Sequence, residues 1–388
     1  MLNTTISVIV PVYHGKKYMK ELIAQIEYCK EKAGDEVEIE LVLSNDAPDD
    51  KLDSYVSESI SIRVLNTNEN RGMQGARIEG IRQCIGEYVL MLDQDDFISE
   101  DYFKSQLKTI LEMDGDVCVC RAKSENKLAY NAQRPFEKIN DLDYALRAGV
   151  CILSPGQVLM KKNLISKVWM THILENRGAD DWLLWICMLA EGVKFVLNDD
   201  VLYEHIENGS NTSLNTVRMM RSDYEIVKIL KDTHTLSDEQ IHVFEDTINR
   251  FEMERIQLLD KFKKMFFVYD EWMKLNRCGK TIPDYLRKIG KTNVCVYGIG
   301  YIGKALVEEL KLCNINVICA FDRNADYIDD IGVEIKKDIE AVDEVELVIV
   351  TLVENMDELC ASLKDKMGVS VVTISKLLEC MKSGVSVL

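Results

Sequence analysis

The sequence predicts an α/β protein built as two units, with a larger unit first, a helical segment after it and a smaller unit last. Three observations carry this reading. Short β-branched apolar runs alternate with amphipathic helical stretches over residues 1–215. Residues 216–290 keep helical spacing and lose the strand pattern. Strand–helix alternation then resumes over residues 291–388. With 388 residues, 47% of them hydrophobic and 29% charged, the chain can fill two cores.

Each element follows from local pattern. Ile6 to Val12 is a continuous apolar run, as expected of a strand buried on both faces. Residues 15–33 place Tyr18, Met19, Leu22, Ile23 and Ile26 at helical spacing. Ile39 to Leu43 and Ile62 to Leu65 read as further strands, Gln74 to Ile85 as a helix, and Tyr88 to Leu92 as a fourth strand. The alternation predicts a mostly parallel sheet with helices on both faces, and such sheets bind ligands beyond the carboxyl ends of their strands. Tyr13, Asp46 and the run Asp93-Gln94-Asp95-Asp96 stand at those ends. In the last unit, Asn293 to Tyr297, Ile315 to Phe321, Leu347 to Leu352 and Val369 to Thr373 are the expected strands.

Charge and cysteine usage narrow the function classes. With 47 basic and 65 acidic residues the formal charge is −18, which repels nucleic-acid backbones, so no nucleic-acid partner is expected. The twelve cysteines form no CxxC pair and read as buried reduced thiols. The opening Met1-Leu2-Asn3-Thr4-Thr5 has no basic n-region, and no apolar run approaches a membrane span. The expected location is the cytoplasm.

Three carboxylates in four positions repel one another unless a cation sits among them. A hard divalent ion, Mn²⁺ or Mg²⁺, takes oxygen ligands of this kind and keeps positions open for phosphates. The alternative on local grounds is that Asp95 and Asp96 cap a helix starting near Ser99-Glu100. Beyond these residues, Asn70-Arg71-Gly72-Met73-Gln74-Gly75-Ala76-Arg77 and Gly86 to Asp96 resemble the central signature of glycosyltransferase family 2. The opening Ser7-Val8-Ile9-Val10-Pro11-Val12-Tyr13 resembles it too, and the likeness runs over residues 5–213.

The resemblance implies a GT-A fold and an inverting, metal-dependent transfer of sugar from a nucleotide-diphosphate donor, with uridine as the expected nucleotide. Asp93 matches the first aspartate of the family's Asp-x-Asp motif, lying at the ribose or metal, and Asp95 the second, ligating the ion. Pro11 and Tyr13 fall at the donor, with Tyr13 near the base. Asp46 matches the acid that accepts the uracil N–H, and Arg71 and Arg77 match positions that steady the diphosphate or sugar. His205, in the closing stretch from Leu202 to Ser213, is a candidate contact for metal or diphosphate. Without the family, either arginine would pass as a surface residue and His205 as a structural one.

Gly178-Ala179-Asp180-Asp181-Trp182 opens an apolar helix. Read locally, Asp180 could simply cap it. By resemblance the acidic pair is catalytic, with Asp181 taking the proton of the acceptor hydroxyl and Asp180 standing where the family usually has Glu. The acceptor, expected to be a glycan or a lipid-linked glycan in polysaccharide or glycolipid assembly, cannot be read from residues 97–178. Lys261-Phe262-Lys263-Lys264-Met265-Phe266-Phe267 mixes cations and aromatics in an acidic chain. This suits peripheral contact with an anionic inner leaflet, or a helix packed between the units.

In the last unit, Gly298-x-Gly300-x-x-Gly303 follows a strand and opens a helix, and Asp322 ends the next strand. That context resembles Rossmann-like nucleotide-binding modules and implies NAD(P) or another nucleotide. The competing readings are a structural relic, a bifunctional protein that modifies and transfers a sugar, or a non-catalytic platform with a nucleotide-binding C-terminal domain.

Overall fold

The structure, a computed structural model, describes residues 4–124, 127–128, 135–206, 215–328, 330–354 and 356–385. It divides into two compact units, Met1–Glu252 and Met253–Leu388.

The first unit is organised by one large mixed sheet. Its strands are β1 (Thr4–Val12), β2 (Val37–Asn45), β3 (Ser61–Asn66), β4 (Tyr88–Met91), β5 (Phe97–Ile98), β6 (Val117–Ser124), β7 (Lys127–Leu128), β8 (Val158–Lys161) and β9 (Phe195–His205). The order is β3-β2-β1-β4-β8-β6-β9-β5, with β7 paired to β6. β3, β2, β1 and β4 are mutually parallel. β8 enters antiparallel between β4 and β6, and β9 returns parallel to β6. Since β8 opposes both its neighbours, β6 and β9 run in the same direction as β1–β4, and among the described strands β5, β7 and β8 run against them, so the sheet is mixed with most strands co-directional.

The helices of this unit are α1 (Met19–Ala33), α2 (Gly72–Gln83), α3 (Tyr102–Glu112), α4 (Leu142–Ala148), α5 (Lys167–Thr171), α6 (Asp180–Ala190) and α7 (Thr216–Asp232). Two apolar cores lie on the two faces of the sheet. Val8, Val10 and Val12 of β1 enter one with Leu22 and Ile26 of α1. Ile9 enters the other with Ile78 and Ile81 of α2 and Leu183 to Met188 of α6. A central strand filled on both sides needs an apolar run, which β1 has from Val8 to Val12, and the buried Ser7 before it donates to Glu40 at 2.6 Å.

Because β1, β2 and β4 run parallel, their carboxyl ends meet at one edge. Val12 leads into Tyr13, Asn45 into Asp46, and Met91 into the Asp93–Asp96 turn.

The helical segment is divided between the units. α7 and the start of α8 (Asp238–Arg277) bury Ile226, Leu230, Phe244 and Ile248 in the first unit's core. The end of α8 buries Val268, Trp272 and Leu275 in the second's.

The second unit holds a smaller, wholly parallel sheet, β12-β11-β10-β13-β14. Its strands are β10 (Asn293–Tyr297), β11 (Asn316–Phe321), β12 (Ile335–Lys336), β13 (Leu347–Val350) and β14 (Ser370–Thr373). Its helices are α9 (Ile282–Lys288), α10 (Tyr301–Leu312), α11 (Met356–Met367) and α12 (Ile374–Ser383). Among the described residues no helix is long and apolar enough to cross a membrane.

Candidate active site

The site grows from a buried cation. Arg77 sits on α2 with 2% exposure, its guanidinium reaching out of the helix between two elements. Its Nη2 donates to Asp93 Oδ1 at 2.7 Å, and its Nη1 to Asp180 Oδ2 at 3.1 Å. One side chain therefore joins the turn after β4 to the first residue of α6. Burial works against the charge of Arg77, but Asp93, Asp180 and Asp181 outweigh it and hold the guanidinium firmly protonated. A surface arginine would do none of this.

The three acids of the turn separate into different roles. Burial raises the Asp93 carboxyl, Arg77 opposes that, and Asp96 adds to it. Asp96, 4% exposed, is consumed by the fold. It accepts from the Tyr203 hydroxyl and, at 2.9 Å, from the Ile206 N–H. His205 Nδ1 stands 3.2 Å from Asp96 Oδ1. The same contact holds the imidazole above its ordinary pKa. Asp95 is half-buried, and its carboxyl is pushed up first by burial and then by the negative charges of Asp96 and Asp93. Neither Asp95 nor Asp96 caps α3, which begins at Tyr102 behind Asp101.

Asp180 does not cap α6 either. The cap position is Ala179, and the Asp180 carboxylate goes to Arg77 while its carbonyl accepts the Trp169 indole N–H at 2.8 Å. Asp181 follows in the first turn, where helix N–H groups favour an anion. Its carboxyl is pushed up to about 7, by burial first and then by the adjacent Asp180, with Arg77 pulling the other way.

Tyr13 and Asp46 lie on the same edge. Tyr13 is 53% exposed. Its backbone N–H donates to Gln94 Oε1 at 3.1 Å, and Gln94 Nε2 donates back to the Tyr13 carbonyl at 3.3 Å. Gln94 thus clamps the end of β1, just past buried Pro11, to the acidic turn. Asp46 is buried and accepts the N–H groups of Arg71 and Gly72, both at 2.7 Å. It organises the entry to α2 with both oxygens. Arg71 itself is exposed and pairs with Glu69 at 2.8 Å.

The structure thus gathers Asp93, Asp180 and Asp181 around Arg77, with Asp95, Asp96 and His205 beside them. Tyr13 and Asp46 flank the group on neighbouring strand ends. The closing loop Ser210–Ser213 lies outside the described residues. Sequence reasoning gave no role to Gln94, read Asp96 only as part of the acidic run or as a helix cap, and passed over the shape of the loop before α6, where Arg177 and Ala179 take φ of 54° and 53°. Neither has a local pattern that marks it. Among the described residues no three His, Cys, Asp or Glu side chains form a cluster that could hold a metal by themselves. A divalent ion here would take Asp95, with Asp93 or His205 nearby, and the rest of its shell from phosphate or water. This is the coordination habit of Mg²⁺.

In the second unit, the turn between β10 and α10 carries the three glycines. Gly298 has φ of 92°, and a Cβ on Gly303 would lie 2.0 Å from the Gly298 carbonyl. Asp322 accepts the Ile299 N–H at 2.7 Å, so this acid lies against the glycine turn.

The family model described as "Glycosyl transferase family 2" matches residues 7–169. GlyG, a glycosyltransferase of Streptococcus pneumoniae, is 29% identical over 244 residues, 58% of this chain and 76% of GlyG. GlyA of the same organism is 32% identical over 130 residues, 33% of this chain and 18% of GlyA. The poly(ribitol-phosphate) β-N-acetylglucosaminyltransferase TarS of Staphylococcus aureus is 30% identical over 232 residues, 58% of this chain and 39% of TarS. The chain therefore spans well under half the length of GlyA and TarS. The crystal structure of residues 1–349 of TarS with UDP-GlcNAc aligns with a TM-score of 0.44 at 16% identity, covering 64% of this chain and 72% of that one. The family match takes in Asp46, Arg77 and the acidic turn after β4: residues 7–169 of the first unit carry a glycosyl transferase family 2 domain.

Proposed function

We propose that the chain is an inverting glycosyltransferase that moves a sugar from a UDP-sugar to an acceptor hydroxyl in cell-surface glycan assembly. The observation that carries this is the buried Arg77, which ties Asp93 of the acidic turn to Asp180 beside Asp181. Donor-side acids and the base are thereby held as one constellation. The glycosyltransferase names of GlyG and TarS point the same way.

In this reading Asp181 accepts the proton of the attacking hydroxyl. A carboxyl at about 7 suits that task near neutral pH. Arg77 fixes Asp180 and Asp93 and keeps Asp181 from rising further. Asp95 would hold Mn²⁺ or Mg²⁺, and the Asp96–His205 pair resembles the way a carboxylate orients a metal-binding imidazole. A bound ion would supply positive charge against the diphosphate as it departs. Tyr13, exposed at the strand end, offers a ring for the uracil. Asp46 acts first on the Arg71–Gly72 backbone and contacts the donor through that turn.

The test is turnover of a nucleotide-sugar panel by the purified chain, read as release of nucleoside diphosphate. UDP-sugar turnover that needs Mn²⁺ or Mg²⁺ and stops with EDTA supports the reading. Absence of binding and turnover with every donor would overturn it.

For the second unit we propose nucleotide binding at the Gly298–Gly303 turn. In support, the parallel order β12-β11-β10-β13-β14 follows the first five strands of the doubly wound order 3-2-1-4-5-6, and no atom lies within 4 Å of a Cβ built on Gly300, leaving room for close backbone approach. Thermal shift with NADH, NADPH and ADP tests it. On α8, Phe262, Phe266 and Phe267 are exposed among Lys261, Lys263 and Lys264, which suits peripheral contact with an anionic membrane. Flotation with phosphatidylserine vesicles tests that.

A further inference from the structure

We infer that Arg177 is a positioning residue: it latches the loop that carries the base onto the turn organised by Asp46, so that donor-side and acceptor-side groups are set together. The inference rests on the reading of Asp181 as base.

The loop before α6 is held in an uncommon shape. Arg177 and Ala179 both lie in the left-handed region, with φ of 54° and 53°. Non-glycine residues avoid that region, and two within three positions persist only when contacts impose them. Three sets of contacts do so. Gln74 of α2 accepts the Leu174 N–H at 2.8 Å and donates to the carbonyls of Trp169 and His172. α7 grips the middle: Glu225 accepts the N–H groups of Glu175 and Asn176, Arg218 donates to the Asn176 carbonyl at 2.7 Å, and Ser222 accepts the Gly178 N–H at 2.9 Å.

The third set is Arg177 itself. Its Nη1 donates to Asn70 Oδ1, and its Nη2 to the Asn70 carbonyl at 2.9 Å. Asn70 Oδ1 also accepts the Gly72 N–H at 3.2 Å, and that same N–H donates to Asp46 at 2.7 Å. The stem of Arg177 crosses Gly72 so closely that a Cβ there would stand 2.9 Å from Arg177 Cδ. A continuous path of polar contacts therefore runs from Asp46 through Gly72 and Asn70 to Arg177, four residues before Asp181.

The first two sets hold the loop to the body of the unit, so losing Arg177 leaves a folded protein. What it loses is the tether to the donor edge. Lysine would not replace it, because a single ammonium cannot reach both oxygens of Asn70 in the planar fork that arginine offers.

The experiment uses the full chain with Arg177→Ala, Arg177→Lys, Asn70→Ala and the double variant. Transfer should fall about 100-fold in kcat, the scale of a misplacement near 1 Å. KM for the UDP-sugar and the affinity for UDP should change less than about threefold. Asn70→Ala should behave alike, and the double variant should add nothing further. Amide hydrogen exchange of the chain without ligand should speed about tenfold over residues 176–182 in Arg177→Ala. Unchanged kcat, a loss confined to KM, additive effects, or unchanged exchange would each overturn the latch. If the unmodified chain turns over no donor, the transferase reading fails instead, and the exchange result still decides whether the latch exists.

Discussion

Asp181 makes the sharpest prediction. Its carboxyl is pushed up to about 7, by burial and by Asp180, against the pull of Arg77. If Asp181 is the base, only its ionised form works. At pH 6 about one carboxyl in eleven would be ionised, and each further unit removes about another factor of ten. The assay is kcat/KM for the acceptor between pH 5 and 9 at saturating UDP-sugar, since that ratio reports the base before the acceptor binds. The expected acidic limb has unit slope and a midpoint near 7, instead of the value near 4 of an ordinary aspartate.

The same shift gives an independent readout in stability. A carboxyl whose folded value stands above its unfolded value keeps its proton in the native state while the unfolded chain has lost it. Stability then falls as pH rises from about 4 to about 7. Asp181→Asn removes that penalty. It should melt above the unmodified protein at pH 8, converge with it below pH 4, and have no transfer activity while still binding UDP. A flat profile from pH 5 to 8, or transfer retained by Asp181→Asn, would refute the assignment.

Three further outcomes are expected. Asp95→Ala should abolish divalent-ion-dependent turnover and weaken Mn²⁺-dependent UDP binding by at least about tenfold in calorimetry. Asp96→Ala should strand the Tyr203 hydroxyl and the Ile206 N–H, costing about 2–4 kcal/mol in urea unfolding, a larger loss of stability than Asp95→Ala causes. Gly303→Ala should force apart the Gly298–Gly303 turn, lowering the thermal stability of the second unit while leaving turnover by the first within about twofold; differential scanning calorimetry and the donor assay separate the two effects.

Legibility in the sequence followed how local each cause was. β1, β2 and β4 announced themselves because strands buried on both faces are largely apolar, and β3, half-exposed at the end of the strand order, showed as a short β-branched run. Asp93, Asp95 and Asp181 were named from their pattern and from family resemblance. The division of labour among them was not readable. Nothing in Asp93-Gln94-Asp95-Asp96 says that Asp96 would fasten Tyr203 and Ile206, or that Gln94 would clamp Tyr13. Nor does the sequence say that both oxygens of Asp46, which the resemblance implies is a donor contact, accept the backbone N–H groups of Arg71 and Gly72.

The sequence by itself determined the alternation of strands and helices, the crowding of acids after β4, and an acidic pair at the head of an apolar helix. All of these are patterns within a few residues, fixed by the periods of helix and strand. Only the tertiary structure decided that Arg77 bridges Asp93 and Asp180, which stand 16 and 103 positions from it. It alone decided that Arg177 reaches Asn70 across 107. Contacts at such separations depend on where the sheet carries each strand end. A buried charge also has no sequence signature, because what makes its burial tolerable is the partner that the fold brings to it.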